Sequence, residues 1–138
     1  MREMIWILAC LSLIGCDAHR PEHNFFKRPP ETRLARFRQY SVEDQYKIFR
    51  YGNDVVEPPV LGLANPIAER GNEIVPFLLG HLDSERDDAA VRDIVFIFSM
   101  MAALKSYDVK SDATLMNKLD AAVSGMRERD GRTSVWQC

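Results

Sequence analysis

The stretch that decides the fold runs from residue 84 to residue 105 and reads SERDDAAVRDIVFIFSMMAALK. Its first four residues, 84–87, resemble a capping box, which typically starts a helix. Residues 94–98 and 100–104 are apolar on nearly every side of that helix, with Ser99 between them. A helix that is apolar all round is buried in a protein core, and this run is shorter than the roughly 20 residues that span a bilayer. The stretch therefore predicts a buried central helix ending near Lys105.

Helical patterns lie on both sides of this stretch. Residues 60–70 and 72–82 predict two helices, with a kink at Pro66 because a proline ring clashes with the carbonyl four residues back. Ser111 or Asp112 caps a last helix that extends to about Glu128. Since no window alternates like a strand, the sequence predicts an all-α domain. Its predicted interior contains Phe77, Leu78, Leu82, Val91, Ile94, Val95, Phe98, Leu104, Leu119 and Val123.

Residues 41–44 (SVED) predict the start of another helix, 42–51, which closes at Gly52. Residues 51–60 (YGNDVVEPPV) follow as the longest irregular segment predicted inside the domain, and its two prolines would stiffen it and lower the cost of ordering it on binding. We predict a partner contact here; the alternative is that the two valines only plug the end of a hairpin. The candidate contact residues are Tyr51, Asp54, Val55, Val56 and Glu57.

Residues 17–40 carry six basic and three acidic side chains, a net charge of +3. Residues 17–30 (DAHRPEHNFFKRPP) hold three prolines and no helical period, which indicates a flexible tether, and residues 31–40 have the pattern of a short helix. Residues 41–138 carry a net charge of −5. The basic segment suits either an anionic membrane surface or a well-solvated linker, and the acidic remainder argues against binding to nucleic acid.

The N-terminus reads MREMIWILACLSLIGC over residues 1–16. Its apolar run from Met4 to Ile14 is too short for a transmembrane helix and has the length of the apolar region of a signal peptide. Leu13-Ile14-Gly15-Cys16 is similar to the lipobox of bacterial lipoproteins. The resemblance implies cleavage after residue 15, acylation of Cys16 and anchoring of the chain in a lipid bilayer.

The resemblance to bacterial lipoproteins also bears on location. It places the chain in the cell envelope, facing the periplasm. Asp17, directly after the lipidated Cys16, resembles the sorting signal that retains lipoproteins in the inner membrane. The predicted organisation is a cleaved signal peptide at 1–15, a lipidated cysteine and basic tether at 16–40, a helical domain at 41–128 and a polar tail at 129–138. Cys138 is then the one free thiol, so no internal disulfide is predicted.

Residues 71–98 (GNEIVPFLLGHLDSERDDAAVRDIVFIF) resemble the two-helix HEAT-type repeat. The matching features are Val75-Pro76 at the start of one helix, paired leucines within it, an aspartate at the turn and Val91-Arg92 in the next helix. The resemblance implies a compact stack of helical hairpins that presents a binding surface, with Asp83 and Arg92 in the polar seam between units.

The sequence offers little catalytic chemistry. His19 and His23 lie in the predicted tether, where no rigid metal geometry is expected, and His81 is interpreted as a structural residue at a helix C-terminus. Asp87 and Asp88 complement a helix dipole. No nucleophile motif or glycine-rich phosphate loop is present. We therefore predict no catalytic residue, no metal, no cofactor and no enzymatic activity.

Three functions stay open on the sequence. The first, which we favour, is a membrane-tethered helical module that binds an unidentified envelope protein. The second is an inhibitor or immunity-type lipoprotein that neutralises one envelope toxin or enzyme. The third and least favoured is an envelope hydrolase.

Overall fold

The computed structural model describes residues 20–134, with side chains described as far as residue 128. This part of the chain forms seven α-helices and no strand, so the prediction of an all-α fold is confirmed. The predicted signal peptide, Cys16, Asp17 and Cys138 lie outside the described residues. The helices are α1 (Pro21–Phe26), α2 (Pro30–Phe37), α3 (Val42–Val55), α4 (Ala64–Ala68), α5 (Val75–Ser84), α6 (Asp88–Leu104) and α7 (Ala113–Ser134).

Helix α6 is the central helix of the domain, as its sequence predicts. It packs against α4, α5 and α7 and buries a face that includes Ile94, Ile97 and Met101. Its cap is Asp87, whose side chain accepts a hydrogen bond from Ala89 N, rather than a residue at the start of the 84–87 motif. The helix ends where Lys105 adopts a left-handed conformation with φ 55°.

The segment between α3 and α5 is more broken than its sequence predicts. A 3₁₀ turn (Leu61–Leu63) precedes α4, so the predicted kinked helix over 60–70 is wrong. Pro66 is the third residue of α4, in the first turn, where backbone N–H groups have no partner within the helix. Gly71 then turns the chain with φ +59°, and a second 3₁₀ turn (Gly71–Glu73) leads into α5.

The prediction that residues 17–30 form a flexible tether is wrong for the described residues from Pro21 onward. Helices α1 and α2 pack against the domain, and Phe25 and Phe37 are fully buried. The Phe25 ring makes edge contacts with Phe26, Phe37 and Tyr40 at centroid distances of 5.0, 5.6 and 6.2 Å. The six residues of α1 are too few to display a helical period, so the sequence pattern does not reveal this helix.

Two helix ends also differ from the predictions. Helix α3 continues through Gly52 to Val55, because Gly52 is packed rather than exposed: a Cβ there would lie 2.8 Å from Cζ of Phe26. Helix α7 continues from the predicted end at Glu128 to Ser134, so the predicted polar tail begins as helix. Its start agrees with prediction, since Asp112 Oδ1 accepts a hydrogen bond from Leu115 N.

Most of the predicted interior is buried, but four residues differ. Phe77, Val95 and Val123 are half-buried, and Leu104 is 44% exposed. Leu104 lies on the last turn of α6, where an all-round apolar pattern cannot distinguish the core side from the solvent side. None of the helices within residues 20–134 combines the length and the apolarity needed to cross a membrane.

The structure shows helices α5 and α6 in contact, and α7 packs against both of them. Asp83 pairs with Lys118 of α7, with Nζ–Oδ2 2.5 Å, while Arg92 lies 3.7 Å from the Asp93 carboxylate. Asp83 and Arg92 thus have different partners. The HEAT-like stack of hairpins stays a prediction.

Candidate functional site

A groove of about 350 Å³ opens between the C-terminal part of α3 and the middle of α6. Its walls are mainly apolar, and Leu61 on its rim is 49% exposed. Grooves of similar volume beside Tyr107 and beside Asp83 have a larger polar share of wall. We refer to this site as the Asn53 groove; its lining residues are Asn53, Pro59, Leu61, Arg92, Asp93 and Phe96.

The side chain of Asn53 distinguishes this groove from the others. Its Oδ1 and Nδ2 atoms are both buried, and neither has a hydrogen-bond partner among the described residues. Buried polar atoms in native proteins are almost always paired. An unpaired amide in the lining of an apolar groove marks a place where a bound group can supply both a donor and an acceptor.

Asp93, which lines the groove, belongs to a largely buried ion pair. Arg50 Nη1 lies 2.5 Å from Asp93 Oδ2, and the Asp93 side chain is only 3% exposed. Arg50 Nη2 also contacts Asp87 at 2.9 Å and Asp54 at 3.4 Å. The Arg50 guanidinium therefore contacts three carboxylates, and it connects α3 to α6 and to the residue that caps α6.

Helical spacing explains how α3 supplies these groups. Tyr46, Arg50 and Asp54 follow each other at intervals of four residues, so they project from the same side of the helix. Asn53, three residues after Arg50, lies on the adjoining part of that side. The helix therefore directs one cation and one amide toward α6 within a single turn.

Tyr46 lies on the same side of α3 but is not suited to acid–base chemistry at neutral pH. Burial raises the pKa of its phenol to about 12, and the nearby carboxylates of Glu85, Asp93 and Asp87 act in the same direction against the opposing charge of Arg50. Its hydroxyl has no hydrogen-bond partner among the described residues. The ring packs beside that of His81, with centroids 4.7 Å apart, so this region is an aromatic cluster.

The structure separates the predicted contact residues. Tyr51 is half-buried against His23 and Phe26 of α1, with ring centroids 4.8 and 5.8 Å away. Asp54 is exposed beside Arg50, and Val55, the last residue of α3, is 60% exposed. Val56 is half-buried and Glu57 exposed in the loop that follows. The expectation of one irregular segment is wrong because residues 51–55 are helical and so point in different directions.

Arg50, Asn53, Asp93 and Phe96 were not predicted as site residues. The available signal was Asp93, an acid directly before the apolar run 94–98, since a carboxylate buried with that run requires a cationic partner. Nothing in the sequence identified that partner as Arg50, which lies 43 positions away.

Metal-binding chemistry has no candidate residues in the described part of the chain, where no three His, Cys, Asp or Glu side chains are grouped suitably for a cation. The predicted lipidation residue Cys16 and sorting residue Asp17 lie outside that part.

Comparisons with known proteins give no family for the chain. It matches no protein-family model, no curated protein and no solved structure. Any function is therefore inferred from the residues of the Asn53 groove and from the sequence motifs.

Proposed function

We propose that the protein is a membrane-anchored periplasmic lipoprotein whose helical domain is a non-catalytic protein-interaction module. The main support for the interaction role is the Asn53 groove, which combines apolar walls with a buried, unpaired amide. The anchoring role is supported by the lipobox-like residues 13–16 (LIGC). The residue after them, Asp17, favours retention in the inner membrane.

The chemistry of the groove indicates the type of partner. Leu61 and Val55 expose 49% and 60% of their surfaces near the end of α3, and an apolar side chain of a partner would remove this surface from water. A buried unpaired amide lowers the stability of the folded protein by about 1–3 kcal/mol. A peptide group that enters the groove offers both an N–H and a carbonyl, and it would offset this cost once Asn53 turns toward it. We therefore propose a polypeptide segment with an apolar anchor as the ligand.

The charged residues around the groove favour one kind of polypeptide segment as the ligand. Asp54 and Glu57 are exposed next to Asn53 in the chain, and Asp87 is exposed beside Arg50. Arg92 is the cation in the lining. Arg50 is a second cation beside the groove. With the lining residue Asp93 counted, four acids stand against two cations, so electrostatic complementarity favours a segment that carries a basic side chain close to its apolar anchor.

The interaction role is tested by recovering partners from detergent-solubilised membranes with a tagged, lipidated protein. Leu61→Asp should abolish recovery of the specific partner, since it places a charge on the groove rim, whereas Leu104→Asp, at a similarly exposed leucine, should retain it. The melting temperature of both variants should stay near that of the wild type. Equal recovery with Leu61→Asp and wild type would contradict the groove as the binding site.

The predicted valine contact is tested in the same assay. Val55→Asp with Val56→Asp should reduce recovery without lowering the melting temperature if the two residues contact the partner. A large fall in melting temperature would assign them to the core instead. Recovery of one stoichiometric partner would favour the inhibitor or immunity role, and recovery of several envelope proteins would favour a scaffold.

The anchoring role is tested by Cys16→Ala. The variant should accumulate as unlipidated precursor and incorporate no labelled palmitate, while Cys138→Ala, which changes the other cysteine of the mature chain, should be labelled like the wild type. Equal labelling of wild type and Cys16→Ala would contradict the lipoprotein proposal.

A further inference from the structure

The folded domain begins very close to the proposed lipid anchor. Arg20, the first described residue, is four positions after Cys16, and α1 starts at Pro21. Four residues reach at most about 14 Å even when fully extended. A flexible tether over residues 17–30, as the sequence predicted, would have allowed the domain to move far from the bilayer. The inference that follows rests on the proposed lipidation of Cys16.

Helix α1 is part of the domain rather than an extension of the anchor. Phe25 is fully buried, and Phe26 occupies the space above Gly52 that a larger residue of α3 would fill. Arg33 of α2 fastens the turn between the two helices by donating to the carbonyl oxygens of Arg28 and Phe26, each at 2.8 Å. Because α1 cannot leave the core without exposing Phe25, the short reach from Cys16 limits the position of the whole domain.

The residues that this reach brings to the bilayer are basic. Residues 20–40 carry six basic and two acidic side chains, a net charge of +4, whereas residues 41–138 carry −5. Arg33 and Arg38 are engaged within the protein, the latter with Glu69. Arg20, Lys27 and Arg28 are exposed and form no ion pair with another described residue, and Arg36 is exposed beside the neutral Gln39.

We infer that α1 and α2 form a docking surface for anionic phospholipid, which holds the domain directly on the membrane in one orientation. The four available cations attract the lipid headgroups, and the acidic remainder of the chain is repelled by them. The electrostatic attraction is effective only at short range, about 8 Å in physiological salt, and the short connection to Cys16 keeps the cations in that range. Exposed Leu34 of α2 adds an apolar contact near the headgroups.

The test uses lipidated protein with Cys138→Ser, reconstituted into phosphatidylcholine vesicles with or without phosphatidylglycerol. A nitroxide is attached at Asn24→Cys in α1 or, as the matched control, at Asn117→Cys in α7. Both asparagines are exposed helical residues, and α1 packs on α2 and α3 while α7 packs on α5 and α6. The measurement is the rate at which each label collides with a water-soluble nickel chelate. The rate on vesicles is compared with the rate for the same labelled protein in detergent micelles.

On phosphatidylglycerol vesicles, the label at residue 24 should show a severalfold lower collision rate with the chelate, and the label at residue 117 should show no change. Lys27→Glu with Arg28→Glu should restore access at residue 24, whereas Lys105→Glu with Lys110→Glu, which reverses two exposed cations elsewhere, should not. Raising the salt to about 1 M, which shortens the Debye length to about 3 Å, should also restore access.

Equal collision rates at residues 24 and 117 would overturn the docking surface, and equal protection on neutral and anionic vesicles would overturn its electrostatic basis. The mass of the purified protein separates these results from a failure of the proposed function. A chain without lipid on Cys16 has no short anchor, so that result would overturn both proposals, while a lipidated chain with equal collision rates would overturn only the docking surface.

Discussion

Arg50 of α3 and Asp93 of α6 form an ion pair across the core of the domain, with Nη1 and Oδ2 2.5 Å apart. The two partners are not equivalent. Arg50 also contacts the exposed carboxylates of Asp87 and Asp54, whereas the other cation near Asp93 is the exposed Arg92, 3.7 Å away. Without Arg50, the Asp93 carboxylate would keep only the more distant Arg92, whereas Arg50 would keep two carboxylate contacts without Asp93.

This asymmetry predicts unequal effects of breaking the pair. Arg50→Met should lower the free energy of unfolding by about 3–5 kcal/mol, since it leaves a buried charge without its main partner. Asp93→Leu should cost less, because Arg50 keeps two carboxylates. Arg38→Met, which breaks an exposed pair with Glu69, is the control and should cost at most about 1 kcal/mol. Urea denaturation measures all three, and equal costs for Arg50→Met and Arg38→Met would contradict a buried pair.

The packing of α1 predicts that Phe25 contributes to stability as a core residue does. Phe25→Ala should lower the free energy of unfolding by about 3–5 kcal/mol, similar to Phe98→Ala in α6, since both rings are almost completely buried. Leu34→Ala, at a half-exposed leucine of α2, should change it by no more than about 0.5 kcal/mol. If Phe25→Ala were as mild as Leu34→Ala in urea denaturation, residues 21–26 would be a tether after all.

Two glycines predict opposite effects of the same substitution. Gly71→Ala should destabilise the protein by at least about 1 kcal/mol, because a left-handed backbone disfavours a side chain. The added Cβ would also lie 2.6 Å from the Ser106 carbonyl oxygen. Gly80→Ala should stabilise it by about 0.5–1 kcal/mol, since Gly80 lies within α5 and a Cβ there meets no atom within 4 Å beyond its chain neighbours and the backbone of its own helix. Thermal denaturation of both variants checks the signs, and a stabilising Gly71→Ala would contradict the turn.

Asp112, the cap of α7, predicts a pH dependence of stability. The Tyr107 hydroxyl, 2.6 Å away, and then the Leu115 N–H lower the pKa of its carboxyl below the ordinary 3.8. A carboxyl with a lowered pKa in the folded state stabilises the protein above its unfolded-state pKa, and this contribution is lost as pH falls through the folded-state pKa. Asp112→Asn should therefore lower the melting temperature at neutral pH, and the difference from the wild type should shrink below pH ~4.

The control for this prediction is Asp120→Asn, which changes an exposed acid of the same helix. Its melting temperature should follow that of the wild type at every pH. Lys47 and Arg38 lower the pKa of the Glu43 and Glu69 carboxyls, so these ion pairs also lose their stabilising effect as the carboxyls protonate in acid. Both pairs are present in all three proteins, and their effect therefore cancels in the comparison. A difference between Asp112→Asn and wild type that persists in acid would contradict the proposed role of the charge.

The sequence by itself determined the helical class of the described domain and the central place of α6, and it limited the cap of α7 to Ser111 or Asp112. These features depend on local information, since a helical period, an N-cap and a long apolar run are each contained within about 20 residues. The Ser41 cap of α3 belongs to the same group, and its hydroxyl accepts a hydrogen bond from Asp44 N as the motif predicts.

Only the tertiary structure decided that α1 and α2 belong to the core, that Gly52 lies inside α3 and that Arg50 pairs with Asp93. The roles of Phe25 and Gly52 follow from the packing of α1 against α3. Because Gly52 has no side chain, it leaves room for the ring of Phe26. The Arg50–Asp93 pair joins positions 43 residues apart, a separation over which no local pattern operates. The Asn53 groove is lined by residues of both α3 and α6, and so it has no signature in either helix alone.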